Sequence, residues 1–382
     1  MKILTNIQSV QVGGISQSVS SFLQFIEKNN DTDINVVGVD IIRKYSPNDQ
    51  ILSTRKTRNK ITTITKTVFC KEIHSVLLGI NSLKDLEKEY QSIIETFKKI
   101  ILLEKPDLIV LNGTYFIPWC LHLAAKTFNI PVLLHYHGII TKETESWDAH
   151  SHLLMKQMEQ TFDNSRIQYI FPSSLAKEVV EDQVFGHKIS HSAILPNSIP
   201  AHFFEINSKG ASRNIGIVNR WTAIKNPKFV TEFAKYNHGK KGAYKINLVT
   251  DVNSIKIQDR RRLKYVTLHS GMSPIKLGKF YGAMGAILCP SIFESYGNVP
   301  QEAVASGTPA LVGNNMGIAE MFRTLGLEDF IIDFSSLKNV FEKVNEFSNQ
   351  SVNKNIRNNM KNELSSDKLN TKLLNIYKQT TH

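Results

Sequence analysis

At 382 residues the chain is long for a single hydrophobic core, so two domains are expected. A hydrophobic content of 41% and a charged content of 21% are ordinary for a globular protein, and no stretch approaches the roughly 18–20 apolar residues of a membrane-spanning helix. The net charge of +12 is uneven, with 21 Lys+Arg against 20 Asp+Glu in residues 1–200 and 25 against 14 in residues 201–382. No helix-turn-helix, zinc-ligand or aromatic-basic RNA motif accompanies that charge, which argues against nucleic acid as a partner.

Strand and helix patterns alternate along the chain, which implies parallel sheets. Met1 to Ile7 reads as a core strand with no signal-peptide apolar region, consistent with a cytoplasmic protein. Gly13-Gly14-Ile15 opens a helix that runs through Phe22 and Ile26. Asp31-Thr32-Asp33 precedes the second strand, Ile34 to Val39. It therefore reads as a solvated turn, since a metal-binding Asp-x-Asp should end a strand inside a nucleotide site. Ile51 to Val68 reads as an extended hairpin crowded with Arg55, Lys56, Arg58 and Lys60. Ile61, Ile64 and Phe69 lie among these cations, so two readings stay open: a solvated basic hairpin, or a segment whose partner is an anionic membrane surface. A charged helix follows from Leu83 to Leu103. Then come a strand at Pro106 to Leu111, a helix from Trp119 to Phe128, a strand at Pro131 to His137, and Tyr169 to Ser174 leading into a helix from Leu175 to Val180.

Pro196 and Pro200 punctuate the middle and read as an interdomain hinge. A second series follows, with strands at Asn214–Val218, Ile246–Val249, Val266–Leu268, Ala286–Cys289 and Pro309–Val312. Helices are expected after Pro227, around Leu277 to Tyr281 and after Gly297. Apolar spacing at Leu364, Leu369, Leu373 and Ile376 predicts one or two terminal amphipathic helices. The domains are therefore drawn at 1–198 and 199–355, with 356–382 as a terminal helix. Cys70, Cys120 and Cys289 are odd in number and sit in apolar runs, which suggests buried thiols in a reducing compartment.

The densest chemistry lies at Pro290-Ser291-Ile292-Phe293-Glu294-Ser295-Tyr296-Gly297-Asn298-Val299-Pro300-Gln301-Glu302-Ala303. Glu294 falls in a loop and Glu302 in the first turns of a helix. A loop carboxylate can accept from sugar hydroxyls, and one at a helix start from the two ribose hydroxyls. The intervening helix N-terminus offers backbone N–H groups to a diphosphate. Upstream, Arg220 and Lys225 follow a buried strand and precede the helix that Pro227 helps start, a placement suited to neutralising a leaving diphosphate. His137, before Gly138 at the end of a strand, falls where open α/β sheets bind ligands. His135 lies one pleat deeper and is expected to be buried.

These motifs resemble the glutamate–seven residues–glutamate signature and the arginine–lysine loop of glycosyltransferase family 4, with Asn219 where glycine is usual. The resemblance implies an α/β GT-B fold: two Rossmann-like domains whose parallel sheets face across a cleft. It implies a retaining enzyme that moves a sugar from a nucleotide-diphospho-sugar, with UDP favoured and GDP as the alternative base. The acceptor is expected to be a glycan or lipid-linked glycan of cell-surface polysaccharide synthesis. By the same resemblance Glu302 holds the ribose and Glu294 the sugar hydroxyls. Arg220, Lys225, Ser295, Tyr296 and Gly297 stabilise the diphosphate, and the backbone around Met272 holds the base. His137 meets the donor sugar near its anomeric carbon, and the loop of Gly13 and Gly14 faces the diphosphate and acceptor. No cofactor or metal is expected, since the cations replace magnesium. The acceptor domain would meet the membrane from the cytoplasmic face. Two alternatives stay open: a nucleotide-sugar epimerase of the same fold, and a non-catalytic glycosyltransferase partner subunit. Thr250-Asp251 also replaces a glycine-rich turn, for which the sequence offers no reason.

Overall fold

The structure, a computed structural model, describes residues 1–8, 14–29, 33–45, 51–71, 77–208 and 210–381. They divide into two compact units. One comprises Met1–Pro172, Ala176–Leu195 and the stretch from Leu369 onward; the other comprises Ser173–Leu175 and Pro196–Lys368. The division at Leu195/Pro196 coincides with the first of the two mid-chain prolines.

The first unit is built on an eight-stranded sheet. Its strands are β1 (Lys2–Ile7), β2 (Asn35–Lys44), β3 (Ser53–Arg58), β4 (Ile61–Phe69), β5 (Leu108–Asn112), β6 (Val132–His135), β7 (Ile167–Phe171) and β8 (Ser192–Ile194), in the order β3-β4-β2-β1-β5-β6-β7-β8. Every neighbouring pair is parallel except β3–β4. Parallel strands are covered on both faces, which explains why β5 reads Leu-Ile-Val-Leu-Asn and is buried throughout. Phe22, Phe25 and Ile26 of helix Gly14–Lys28 fill the core, as do Phe97 of helix Gln91–Glu104 and Trp119 of helix Phe116–Ala125.

Two expectations change here. The single helix over 83–103 is two, Leu83–Glu89 and Gln91–Glu104. Tyr90 separates them at φ −100°, ψ 8°, with its ring buried and stacked on Phe116 at 5.0 Å. The hairpin of β3 and β4 does form, but Ile61 and Ile64 are buried and so are not available to a bilayer. Of its cations, Arg55 pairs with the buried Glu104, and Arg58 lies 3.7 Å from Glu27. β3 is exposed along its whole length.

The second unit carries a five-stranded, wholly parallel sheet: β9 (Asn214–Val218), β10 (Lys245–Val249), β11 (Val266–His269), β12 (Ala286–Cys289) and β13 (Ala310–Val312), in the order β11-β10-β9-β12-β13. The chain runs outward from β9 to β11, returns through helix Pro274–Gly282 and resumes at β12. The order therefore reverses between β9 and β12, and open α/β sheets bind ligands at such a switch point, outside the carboxyl ends of the strands. Asn226 starts helix Pro227–Gly239 by accepting Phe229 N at 3.2 Å, with Pro227 at the first helical position. The terminal pattern gives two helices, Lys354–Leu364 and Ser366–Thr380. The stretch from Leu369 belongs to the first unit, where Tyr377 meets Phe22 edge-on at 5.2 Å. Of the cysteines, Cys120 and Cys289 are buried, Cys70 is half-buried, and all three are free.

Candidate functional site

The loops that leave β9 and β12 carry the residues the sequence singles out. After β9 the chain turns through Arg220 and Trp221 into a short 3₁₀ turn, Ala223–Lys225. After β12 it runs through Ser291 and Glu294 to helix Asn298–Ala305. The two loops touch: Ile292 N donates to Ile224 O at 2.8 Å, and Lys225 Nζ forms an ion pair with Glu294 Oε1. Ser291 Oγ donates to the same oxygen at 2.9 Å. Both members of the pair keep part of their surface, 14% for Lys225 and 22% for Glu294, so the pair is partly dry yet open to a ligand. Arg220 is exposed on the same loop, beside Trp221, whose Nε1 donates to Asp259 Oδ2 at 3.2 Å.

Gly297 shapes the turn between the two glutamates. It sits at φ +117°, and a Cβ there would stand 3.0 Å from Met316 Cε and 3.3 Å from Ile318 Cγ2. A residue with a side chain would be strained and crowded at once. The backbone carbonyls of Glu294 and Tyr296 accept from Gly317 N (3.1 Å) and Ile318 N (2.9 Å), which fixes the loop against the segment after β13. Tyr296 itself is buried, its hydroxyl has no hydrogen-bond partner, and burial raises its pKa. Its side chain is therefore packed inside and not presented to a ligand. Ser295 is buried as well.

Glu302 lies inside helix Asn298–Ala305 and is 4% exposed. Tyr281, from helix Pro274–Gly282, donates its hydroxyl to Glu302 Oε2 at 3.0 Å. Burial disfavours the charged carboxylate more than this one bond favours it, and the pKa is pushed up to about 8. Tyr281, which no sequence motif marks, is thus part of the Glu302 environment.

At the end of β11 an open groove of about 640 Å³ is lined by His269, Ser270, Gly271, Met272, Lys276 and Phe280, among others. His269 is held by Asn247 Oδ1 at 3.1 Å and lies edge-on to Phe280 at 5.7 Å. Met272 therefore borders a concavity. The unexplained Thr250-Asp251 step also has a reason: Asp251 caps the turn Val252–Ser254 by accepting Asn253 N at 3.0 Å, and Thr250 is buried.

The first unit has its own switch point, between β1 and β5. A buried polar network ties these strands. Asn6 Nδ2 donates to Asn112 O (3.1 Å), Asn112 N to Asn6 Oδ1 (2.9 Å), and Asn112 Nδ2 to Thr5 Oγ1 (2.7 Å). Asn112 Oδ1 then faces His137 Nε2 at 3.5 Å. His135 and His137 lie ring to ring at 4.2 Å. Burial lowers His135 to about 4, and burial with His135 alongside holds His137 well below the usual histidine range, so both rings are neutral at pH 7. His135 is buried, as its strand position predicts. Gly14 is the first residue of helix Gly14–Lys28; Gly13, Asp31 and Thr32 lie outside the described residues. Among the described residues no group of three or more His, Cys, Asp or Glu is arranged to hold a metal ion, and no helix is long and apolar enough to cross a membrane.

Residues 199–364 match the model of a family described as Glycosyl transferases group 1, which is less than half of the chain. No curated protein matches the sequence. Among solved structures the chain is similar to sucrose-phosphate synthase from Thermosynechococcus elongatus, with a TM-score of 0.75 at 15% identity over 99% of each chain. It is also similar to an Escherichia coli trehalose-6-phosphate structure bound with UDP-2-fluoro glucose (TM-score 0.69, 12% identity, 99% of each chain). A third is the UDP-forming alpha,alpha-trehalose-phosphate synthase of Burkholderia xenovorans in complex with glucose-6-phosphate (TM-score 0.66, 10% identity, 99% of each chain). At such identities these likenesses show the fold, which is GT-B. With the matched C-terminal domain they support a glycosyltransferase of that fold.

Proposed function

We propose that this GT-B glycosyltransferase is a retaining enzyme of the family 4 type, with a nucleotide-diphospho-sugar as donor. The observation that carries the reading is the Lys225–Glu294 pair at the switch point between β9 and β12. It sets a cation and a hydroxyl acceptor side by side where the fold binds ligands. A donor diphosphate would draw Lys225 and Arg220 to its oxygens and free Glu294 for the sugar's hydroxyls. The C1–O bond then breaks with its electron pair moving onto the β-phosphate oxygen. The acceptor hydroxyl attacks from the same face and passes its proton to that phosphate. Positive side chains aimed at the charge that develops there lower the barrier. The reaction so drawn requires no metal.

Glu302 takes the ribose, the backbone of Ser295, Tyr296 and Gly297 the diphosphate, and the Met272 loop the base. His137 is read as a contact of the donor sugar, and the loop of Gly14 as a diphosphate and acceptor contact. UDP is the favoured base, and the neighbours' named UDP-2-fluoro glucose and UDP-forming reaction support it. For the acceptor, a glycan or lipid-linked glycan of cell-surface polysaccharide synthesis is the first reading. A sugar phosphate is the second, favoured by the glucose-6-phosphate in the Burkholderia complex. The enzyme works in the cytoplasm, and a weak, mainly electrostatic contact with the inner membrane face runs through Lys56, Arg58 and Lys60, with Phe69 of the same hairpin exposed. Thermal-shift screening of UDP- and GDP-sugars tests the donor: saturation at about 100 times the dissociation constant stabilises by roughly 2.7 kcal/mol. Turnover then tests the class. Nucleotide release only with acceptor supports transfer, interconversion of free donor supports an epimerase, and no turnover supports a partner subunit.

A further inference from the structure

Among the buried glutamates of the first unit, Glu159 differs in its partners. Glu104 and Glu181 each meet lysine or arginine side chains at the surface. Glu159, on helix Ala149–Gln160, has no exposure and accepts from four uncharged donors. Its Oε1 takes Ile140 N (3.0 Å) and Thr114 Oγ1 (3.1 Å); its Oε2 takes Thr141 N (2.8 Å) and Thr141 Oγ1 (2.7 Å). Four donors fill the acceptor sites of one carboxylate.

The donors belong to two loops at the carboxyl edge of the sheet. Thr114 follows Asn112 and Gly113 beyond β5, and Ile140 and Thr141 follow His137 and Gly138 beyond β6. The short helix Ile140–Glu143 has no side-chain cap of its own, so Glu159 satisfies its first N–H groups from another element. The loops it joins bear Asn112 and His137, which face each other at 3.5 Å. Burying a carboxyl group is costly, but an apolar residue here would leave the N–H groups of Ile140 and Thr141 without their acceptor. Retaining a carboxylate there fixes both loops at once.

We propose that Glu159 is a positioning residue, a carboxylate that holds the loops on either side of His137 in the geometry the transfer reaction uses. The proposal rests on the reading of His137 as a donor-sugar contact. Glutamine cannot replace Glu159: whichever way its amide lies, the NH₂ group meets a backbone N–H, either of Ile140 or of Thr141. One donor is left unpaired and the turn must shift.

The test uses the full chain with UDP-glucose as probe. The His137 ring is followed by long-range ¹H–¹⁵N spectra, assigned with His137→Gln. Glu159→Gln should move the His137 signals and lower kcat for UDP-glucose cleavage on the order of 100-fold, as small misplacements do, with KM changed by less than about threefold. Glu181→Gln, which removes another buried carboxylate of the same unit, should leave both at wild-type values. A folded Glu159→Gln protein with wild-type His137 signals and kcat would overturn the proposal, as would Glu181→Gln reproducing its effects. Should Glu159→Gln not fold, Thr141→Val removes one donor and keeps the carboxylate. It should move the His137 signals in the same direction, and unchanged signals would overturn the proposal. If wild type does not cleave UDP-glucose, that outcome bears on the donor reading alone, and the His137 signals decide the role of Glu159.

Discussion

Replacing Glu302 by glutamine should remove a pH dependence from the stability of the second unit. Glu302 is buried with one hydroxyl partner, and its pKa in the fold is about 8 against 4.5 for the free side chain. Between those values the folded protein keeps a proton that the unfolded chain has lost. Stability therefore falls as pH rises through this window and levels off above pH 8. At about 1.36 kcal/mol for each pH unit between the two values, the whole window is worth on the order of a few kcal/mol. Glutamine keeps the shape, still accepts from Tyr281 and does not titrate. The wild type and Glu302→Gln should thus differ little near pH 5 and diverge toward pH 9, with the variant the more stable. For a unit of this size about 2–4 °C in melting temperature corresponds to each kcal/mol. Melting curves by near-ultraviolet circular dichroism from pH 5 to 9 would read this. Parallel pH dependences in the two proteins would refute the buried, proton-holding state of Glu302.

The same carboxyl makes a prediction about binding: if ribose is held by ionised Glu302, UDP binding at pH 7 releases a proton. Calorimetry in two buffers of different ionisation enthalpy should then give different apparent heats, and Glu302→Ala should abolish the difference while costing roughly 1.5–3 kcal/mol in affinity. Arg220→Ala and Lys225→Ala should each lower turnover by about 100-fold or more with full wild-type activity in EDTA, since each removes charge stabilisation of the departing diphosphate; a strict manganese or magnesium requirement would contradict this. Gly297→Ala should destabilise by about 1–3 kcal/mol, the cost of forcing a side chain into a rare backbone region, and equal melting curves would show that the loop relaxes freely. Wild type should sediment with anionic liposomes at low salt and release at roughly 1 M, where screening shortens to about 3 Å. Neutralising Lys56, Arg58 and Lys60 together should abolish this, and equal sedimentation of the variant would leave the hairpin as a solvated edge.

What the sequence discloses and what it withholds divide along a physical line. Local periodicity, proline punctuation and glycine turns are properties of short windows. They mark the strands, the prolines beside Leu195 and the loop and helix that carry the two glutamates. Burial is set by partners far along the chain. Glu302 reads in sequence as a helix-start carboxylate facing a ligand, yet Tyr281, brought to it by the packing of a different helix, shares its lone pair. Lys225 and Glu294 are separately legible, but their pairing depends on the crossover that sets β12 beside β9. Ile61 and Ile64 look free to enter a membrane because nothing in the hairpin itself shows that both positions of β4 are covered by the core. Glu159 is the extreme case: in Met-Glu-Gln-Thr it is indistinguishable from a solvated helical glutamate, and all four of its donors come from outside its helix. A carboxylate's chemistry follows from who donates to it. Motifs locate the groups that meet a ligand, and the partners that tune those groups are visible only once the fold has assembled them.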